Sequence, residues 1–289
     1  MQNKIEYILF IGLSWFLRLF NLSTARRFAF IIGSLFYYLI PIRKKVVLDN
    51  LRHAFPGFDE QKIHRIAFGA YKNFCIALIE ILYLPKLTHN EIERSVICEN
   101  PELLISKFNE KKGVILLSAH FGNWEYIALS VSAQTHIPFT VIVKPQRNPY
   151  VNDWMNKNRV KFENKIVHLG ISIRSVYQEL KNKNVVAMVA DQRGPAEGTK
   201  LEFFGRRTSV FTGPAILSLK TGAPLIMGIP IRQKDYSYKT ILIEIDSNNL
   251  PEDYDEKVLE LSKRHMKYLE CMIKLYPEQW FWMHNRWKH

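Results

Sequence analysis

Cysteine is scarce in this chain: three residues in 289, with Cys75, Cys98 and Cys271 far apart and no CxxC pair among them. That excludes a disulfide framework, a zinc ribbon and a redox dithiol, and it fits a reducing compartment. Acidic residues are also short, 27 Asp and Glu against 40 Lys and Arg, for a formal charge of +13. Such a surface prefers polyanions: nucleic acid, anionic lipid or an acidic protein. No apolar run reaches the ~20 residues that span a bilayer comfortably, and no repeat, low-complexity tract or Gly/Ser linker divides the chain. What is present is ordinary for a globular protein, 47% hydrophobic and 23% charged. Disordered, collagen-like and multi-span classes are therefore excluded, and the length suffices for a sizeable core.

The amino terminus carries two apolar runs, YILFIGLSWFL over 7–17 and FAFIIGSLFYYLIPI over 28–42, separated by Arg18, Arg26 and Arg27. Lys4 and Glu6 before the first run, and Phe20-Asn21-Leu22 after it, do not make a cleavable signal peptide. On length alone the runs read as two buried core helices. Aromatics of interfacial type (Trp15, Phe16, Phe20, Phe36, Tyr37, Tyr38) and the basic cluster Arg43-Lys44-Lys45 favour a membrane instead. Residues 1–45 are accordingly expected to form a membrane-anchoring helical segment, either a short span or a helical pair lying in the interface. Residues 46–289 then form the catalytic domain.

In that domain Ile63, Ile66, Ala67, Ala70, Phe74 and Leu78 recur at helical spacing up to Pro85. Beyond Asn90 short apolar runs at 114–117, 139–143, 185–190, 225–231 and 241–245 alternate with helical stretches at 154–162 and 172–181. A last helix is expected over 255–275. This alternation predicts an α/β fold: an αβα sandwich around a mostly parallel sheet, with the N-terminal hydrophobic helical membrane anchor attached.

The run 114–117 leads into Ser118-Ala119-His120-Phe121-Gly122-Asn123-Trp124-Glu125, and strand ends are where such sheets collect catalytic loops. On one continuous helix His120 and Glu125 would lie about 140° apart. With His120 in the loop, a bend at Gly122 and Glu125 in the first helical turn, the carboxylate folds back onto the imidazole. That is the general-base half of a triad without its serine. A lone loop histidine is more often simply hydrogen-bonded to its neighbours; the glutamate, the glycine and the strand end together reverse that preference. No GxSxG elbow occurs, and no second base activates Ser118, so a covalent acyl-enzyme is disfavoured. HExxH is absent and HxxxxE has no second His or Cys nearby, so no metal or cofactor is expected.

SAHFGNWE resembles the HxxxxE signature of the lipid A late acyltransferases, the lauroyl and myristoyl transferase family related to the lysophospholipid and glycerophosphate acyltransferases. Further segments follow in family order: Lys144-Pro145-Gln146-Arg147-Asn148-Pro149 beside RPxxNP, Arg159 ten residues on, Asp191 after the run 185–190, Phe203-Phe204-Gly205, Gly222-Ala223-Pro224 and the ending PEQWFWMHNRW at 277–287. Asn50-Leu51 and Phe55-Pro56 resemble its NLxxxFP stretch, so the likeness covers essentially the whole chain. Two positions depart from the pattern. Lys144 replaces an arginine and loses its planar fork, and Asn285 replaces one of a terminal arginine pair.

The resemblance implies a membrane-associated O-acyltransferase at the cytoplasmic face of the inner membrane. It would move a fatty acyl chain from acyl carrier protein thioester, or acyl-coenzyme A, to a hydroxyl of a lipid A precursor. His120 is the expected general base and Glu125 its orienting partner. Arg159, Lys144 and Asn148 are expected at substrate, Arg159 on an anionic group, and Asp191 is expected to position Arg159 or nearby backbone. The anionic membrane surface and the acidic carrier protein would both suit the basic charge. A lysophospholipid, an aminolipid or a mannosylated phosphoinositide is an alternative acceptor. Nucleic-acid binding is the remote alternative, and no nucleic-acid partner is expected: the aromatics sit in apolar runs and form no stacking platform interleaved with basic residues.

Overall fold

Helices α1 (Gln2–Arg18) and α2 (Leu22–Tyr38) open the chain. Asn21 ends the connection between them by accepting the Thr24 N–H at 2.8 Å as an N-cap. Along α2 the buried residues Ala25, Ala29, Gly33 and Tyr37 recur every fourth position, a mostly small-residue stripe that lets another helix axis come close. After α3 (Lys44–Ala54), α4 (Glu60–Tyr83) fills that place. A Cβ on Gly33 would lie 3.1 Å from the Lys72 Cα, so the approach depends on the glycine. Polar contacts fasten the same joint: Ser14 Oγ donates to the Leu82 carbonyl at 2.7 Å, Tyr83 Oη to the Phe20 carbonyl at 2.9 Å, and Arg26 to Glu80 at 2.7 Å.

The computed structural model describes residues 1–168 and 173–288. Among them one stretch, Glu60–Lys86, is long and apolar enough to cross a membrane, with a mean hydropathy of 1.4. Its apolar window is 67% buried inside the fold, which identifies it as the central core helix.

The rest of the chain runs α5 (His89–Glu93), β1 (Val96–Cys98), α6 (Pro101–Asn109), β2 (Val114–Ser118), α7 (Trp124–Thr135), β3 (Phe139–Val143), α8 (Pro149–Val160), β4 (Lys165–His168), α9 (Ile173–Lys181) and β5 (Val185–Val189). It continues through β6 (Lys200–Phe203), β7 (Arg206–Ser209), α10 (Gly213–Thr221), β8 (Leu225–Gly228), β9 (Ile231–Arg232), β10 (Tyr238–Thr240), β11 (Leu242–Glu244) and α11 (Tyr254–Leu275). Among the described residues the architecture is α/β with three sheets, two of mixed strand direction and the antiparallel β6–β7 hairpin. In the principal sheet, ordered β11-β8-β2-β5-β3-β4, every pairing is parallel except the antiparallel edge strand β11. Its two faces enter different cores. Ile115 and Leu117 pack with Val176 of α9, Ala215 of α10 and Leu261 of α11, whereas Val114 and Leu116 pack with Leu104 of α6 and Val131 of α7. Burying each such side chain contributes about 1.5–3 kcal/mol.

Several expectations change in detail. The run 225–231 is two strands in two sheets, β8 and β9, broken at Ile229-Pro230, where proline has no N–H for a ladder. The helix expected at 154–162 starts earlier, at Pro149, because Asn148 caps it and proline suits the first helical position. The helix expected over 172–181 is α9, with Ser172 outside the described residues. Phe203-Phe204-Gly205 proves to be the turn of the β6–β7 hairpin: Phe204 and Gly205 have φ of 52° and 71°, both positive as a type I′ turn requires.

Candidate active site

Strands β2 and β5 are parallel neighbours in a register that pairs Ser118 with Val189. Two residues past each of those positions stand His120 and Asp191, so the same pairing carries both side chains off the sheet side by side. Asp191 Oδ1 accepts from His120 Nδ1 at 2.7 Å, while Oδ2 accepts the His120 backbone N–H at 3.0 Å and the Trp280 indole N–H at 2.9 Å. The carboxylate side chain is 2% exposed and the imidazole 21%. Burial disfavours ionisation of Asp191, but the His120 imidazole and these N–H donors outweigh it and hold the carboxyl below its ordinary range. For His120, burial opposes charge and Asp191 overcomes it, with a further contribution from Glu125, so the imidazole lies above its ordinary 6.5. An ionised carboxylate only accepts, so Nδ1 carries the shared hydrogen and Nε2 holds the ring's basic lone pair.

Beside the ring runs a narrow cleft lined by Asn73, Phe74, Trp124, Gln279, Trp280 and Phe281. Trp124 and Phe281 flank the imidazole at centroid distances of 5.3 and 6.2 Å, and the Gln192 amide nitrogen lies 3.5 Å from Nε2. The carboxy-terminal segment is clamped onto this loop: Gly122 N–H donates to the Gln279 carbonyl and Phe281 N–H to the His120 carbonyl, both at 2.9 Å. Gly122 supplies the expected bend with φ of 51°, and a Cβ there would strike the Pro230 carbonyl oxygen at 2.2 Å.

The expected contact between Glu125 and His120 is replaced by another. Glu125 lies in the first turn of α7, where its N–H is held by the Asn123 cap. Both its carboxylate oxygens turn to Arg159 in the last turn of α8, Oε2 to Nε at 2.8 Å and Oε1 to a terminal nitrogen at 2.6 Å. The carboxylate on the His120 ring is therefore Asp191, which also holds the His120 backbone N–H as the backbone alternative anticipated, and the partner of Arg159 is Glu125. Each member of the fork is 9% exposed, so Arg159 is neither a surface salt bridge nor a guanidinium with its fork open to substrate. Burial opposes its charge, and Glu125 more than restores it.

Asn123, between His120 and Glu125, is itself anchored. Its Oδ1 accepts from the Glu125 and Tyr126 N–H groups, and its Nδ2 donates at 2.9 Å to Glu80, a fully buried carboxylate on α4. Glu80 also receives Arg26 of α2 at 2.7 Å and the Tyr238 hydroxyl at 2.6 Å. Lys144 stands exposed after β3. Asn148 is buried: it caps α8 and donates to the Asn3 carbonyl and to Glu6 of α1 at 2.8 and 3.2 Å. Ser118 Oγ is buried with no hydrogen-bond partner among the described residues, so no base activates it. Arg286 of the terminal motif is fully buried, donating to Thr208 Oγ1 and the Ser209 carbonyl, and burial pushes it down to about 10.

Sequence reasoning did not find Trp280, Gln192 or Glu80. The terminal motif named Trp280 without a role, and nothing in Gln192 or Glu80 alone tells which strand end or loop they meet.

Comparison with known proteins adds an independent line. A family model described as bacterial lipid A biosynthesis acyltransferase matches residues 2–289. The chain is 24% identical over 281 residues to the lipid A biosynthesis lauroyltransferase of Escherichia coli (strain K12), covering 96% of this chain and 90% of that one. It is 21% identical over 259 residues to the palmitoleoyltransferase of the same organism, covering 89% and 82%. A phosphatidylinositol mannoside acyltransferase of Mycobacterium tuberculosis is 24% identical over 153 residues, 51% of this chain and 48% of the relative.

Proposed function

The chain belongs to the bacterial lipid A biosynthesis acyltransferase family and is an O-acyltransferase; from that premise we propose that it moves a fatty acyl chain from an acyl carrier protein thioester to a hydroxyl of a lipid A precursor, with His120 as general base. The observation that carries this reading is the Asp191–His120 pair, which fixes the Nδ1 hydrogen and leaves Nε2 basic beside an aromatic cleft. In the forward step Nε2 takes the acceptor hydroxyl proton as its oxygen attacks the thioester carbonyl, and Asp191 stabilises the imidazolium that forms. Collapse of the tetrahedral intermediate breaks the carbon–sulfur bond, and the imidazolium returns the proton to the departing thiolate. Gln192 is placed to donate to an oxygen in that region. Glu125 and Arg159 hold α7 against α8 and thereby fix the helix that begins four residues after His120.

A membrane location supports the same reading. Helices α1 and α2 bury one side on α4 and leave Ile8, Leu9, Trp15, Phe30 and Ile31 exposed, continued past the end of α2 by Leu39 and Ile40, an apolar surface unusual for one that faces water. We read residues 1–45 as an interfacial anchor at the cytoplasmic face of the inner membrane, lying in the headgroup region while packed on the catalytic domain. The partial match to mannoside acyltransferases keeps a mannosylated phosphoinositide as the second acceptor.

Incubating the purified protein with acyl carrier protein thioester or acyl-coenzyme A against lipid A precursor, lysophospholipid and phosphatidylinositol mannoside, with product masses measured, tests the proposal. Acylation of the lipid A precursor at the highest rate is expected. Acylation confined to another acceptor overturns the substrate, and preference for the coenzyme A donor overturns the carrier protein.

A further inference from the structure

A second concave site lies at the far end of α2, on another face of α4 from the cleft at His120. It is a groove of about 400 Å³ lined by Tyr37, Tyr38, Lys44, His64, Arg65 and Phe68. Lys44 Nζ donates to the Tyr37 carbonyl at 3.1 Å and sits 3.9 Å from the centre of the Tyr37 ring and 5.8 Å from that of Tyr38. The Tyr37 hydroxyl meets His64 Nδ1 at 2.7 Å. Glu60, the carboxylate 3.7 Å from His64 Nε2, is engaged elsewhere: it takes two hydrogen bonds from Arg52, at 2.8 and 2.7 Å. Among the described residues no carboxylate pairs with Lys44 or Arg65. Two cations, an imidazole and three aromatic rings thus line a hollow whose acidic neighbour is already satisfied.

The surroundings say what fills it. Tyr38, Leu39, Ile40 and Ile42 beside the groove are all exposed, so the cationic hollow borders the apolar face read above as interfacial. Aromatic rings, lysine and arginine next to exposed aliphatic side chains are what the boundary between acyl chains and headgroups selects. The groove does not open on the chemistry: Ala70 and Phe74, which line the cleft at His120, each lie six residues beyond His64 and Phe68, a turn of about 120° around α4.

We propose that this groove seats the phosphate headgroup of an anionic phospholipid and so fixes the depth and tilt of the amino-terminal helices at the membrane surface. The proposal rests on the interfacial reading of α1 and α2, and its test separates the two. Flotation of the full-length protein with phosphatidylcholine vesicles, with or without added phosphatidylglycerol, is compared for wild type, Lys44→Ala/Arg65→Ala, and a charge-matched control, Arg27→Ala/Lys45→Ala, in which both residues are exposed cations outside the groove. The groove variant is expected to keep wild-type binding to phosphatidylcholine and to lose well beyond the roughly 30-fold that two diffusely attracted cations account for on phosphatidylglycerol vesicles. The control should lose markedly less. Equal losses in the two variants mean diffuse surface charge and overturn the groove while leaving the interfacial helices standing. Failure of wild type to bind any vesicle overturns the interfacial reading and the groove with it. Acyl transfer in detergent solution should match wild type in the groove variant, and a large loss there assigns the groove to the acceptor and overturns the phospholipid.

Discussion

Two acid–base pairs each take one member from the short stretch between His120 and the first turn of α7, and they differ in what they leave unused. His120 spends one ring nitrogen on Asp191 and keeps the other, with 21% of its side chain exposed above a carboxylate at 2%. Arg159 and Glu125 close on each other through two short hydrogen bonds with both side chains 9% exposed. The first pair can exchange a proton with something outside itself; the second holds two helices together. A buried acid–base pair therefore points to chemistry when one partner keeps a basic nitrogen facing a cleft, and to architecture when the two groups are spent chiefly on each other.

The sharpest way to break that contrast is His120→Ala. Turnover should fall by roughly 10²- to 10⁴-fold while the thermal midpoint stays close to wild type; a midpoint that drops as far as it does for Arg159→Ala would show that the histidine is structural too. Asp191→Asn should cost about 10²-fold and also move the pH profile. The base must be neutral, so wild-type kcat/KM should fall as pH drops through the His120 value, which Asp191 holds above 6.5. Removing the anion lowers that value, so the acid limb should shift to lower pH, and an unmoved limb would separate Asp191 from the base.

On the other pair the main readout is stability. Arg159→Ala leaves a buried carboxylate alone and should cost about 3–5 kcal/mol in denaturant unfolding, with the double variant Arg159→Ala/Glu125→Ala less destabilised than that single change. Arg159→Lys should recover part of the loss, since the charge survives without the fork. If Arg159→Ala instead unfolds like wild type and is inactive, the guanidinium serves substrate and the contrast fails. The smallest effect belongs to Lys144→Ala, an exposed loop position: stability within about 0.5 kcal/mol and initial rates close to wild type.

The sequence singled out His120, Glu125, Arg159 and Asp191, and anticipated that Asp191 could hold nearby backbone, but it set Glu125 rather than Asp191 against the His120 ring. Spacing along the chain made Glu125 the neighbour of His120. The true neighbour comes from strand order: β2 beside β5, in a register that puts positions 71 residues apart on the same edge. Apolar runs locate strands without saying which strand lies next to which. Trp280 was legible as part of a motif and illegible as a donor to Asp191, because the clamp of the terminal segment onto the His120 loop is made by backbone groups that every residue carries. The amino-terminal runs were readable as helices from their apolar content. Their seating on α4 turned on Gly33, Arg26 and the polar atoms of a helix still to come.

The buried carboxylate of Glu80 also bears on the order in which the protein matures. Its partners Asn123, Arg26 and Tyr238 lie 43, 54 and 158 residues away in the chain, so as synthesis proceeds from the amino terminus α1, α2 and α4 are complete long before the last of them is made. Until β10 and the segment around Trp280 leave the ribosome, the helices carrying the apolar face exist but the loop bearing His120 has no finished support. Contacts of such long range form late and slowly. The amino-terminal helices are thus complete before the His120–Asp191 pair and its Trp280 clamp can form, and that pair is among the last parts of the fold to be finished.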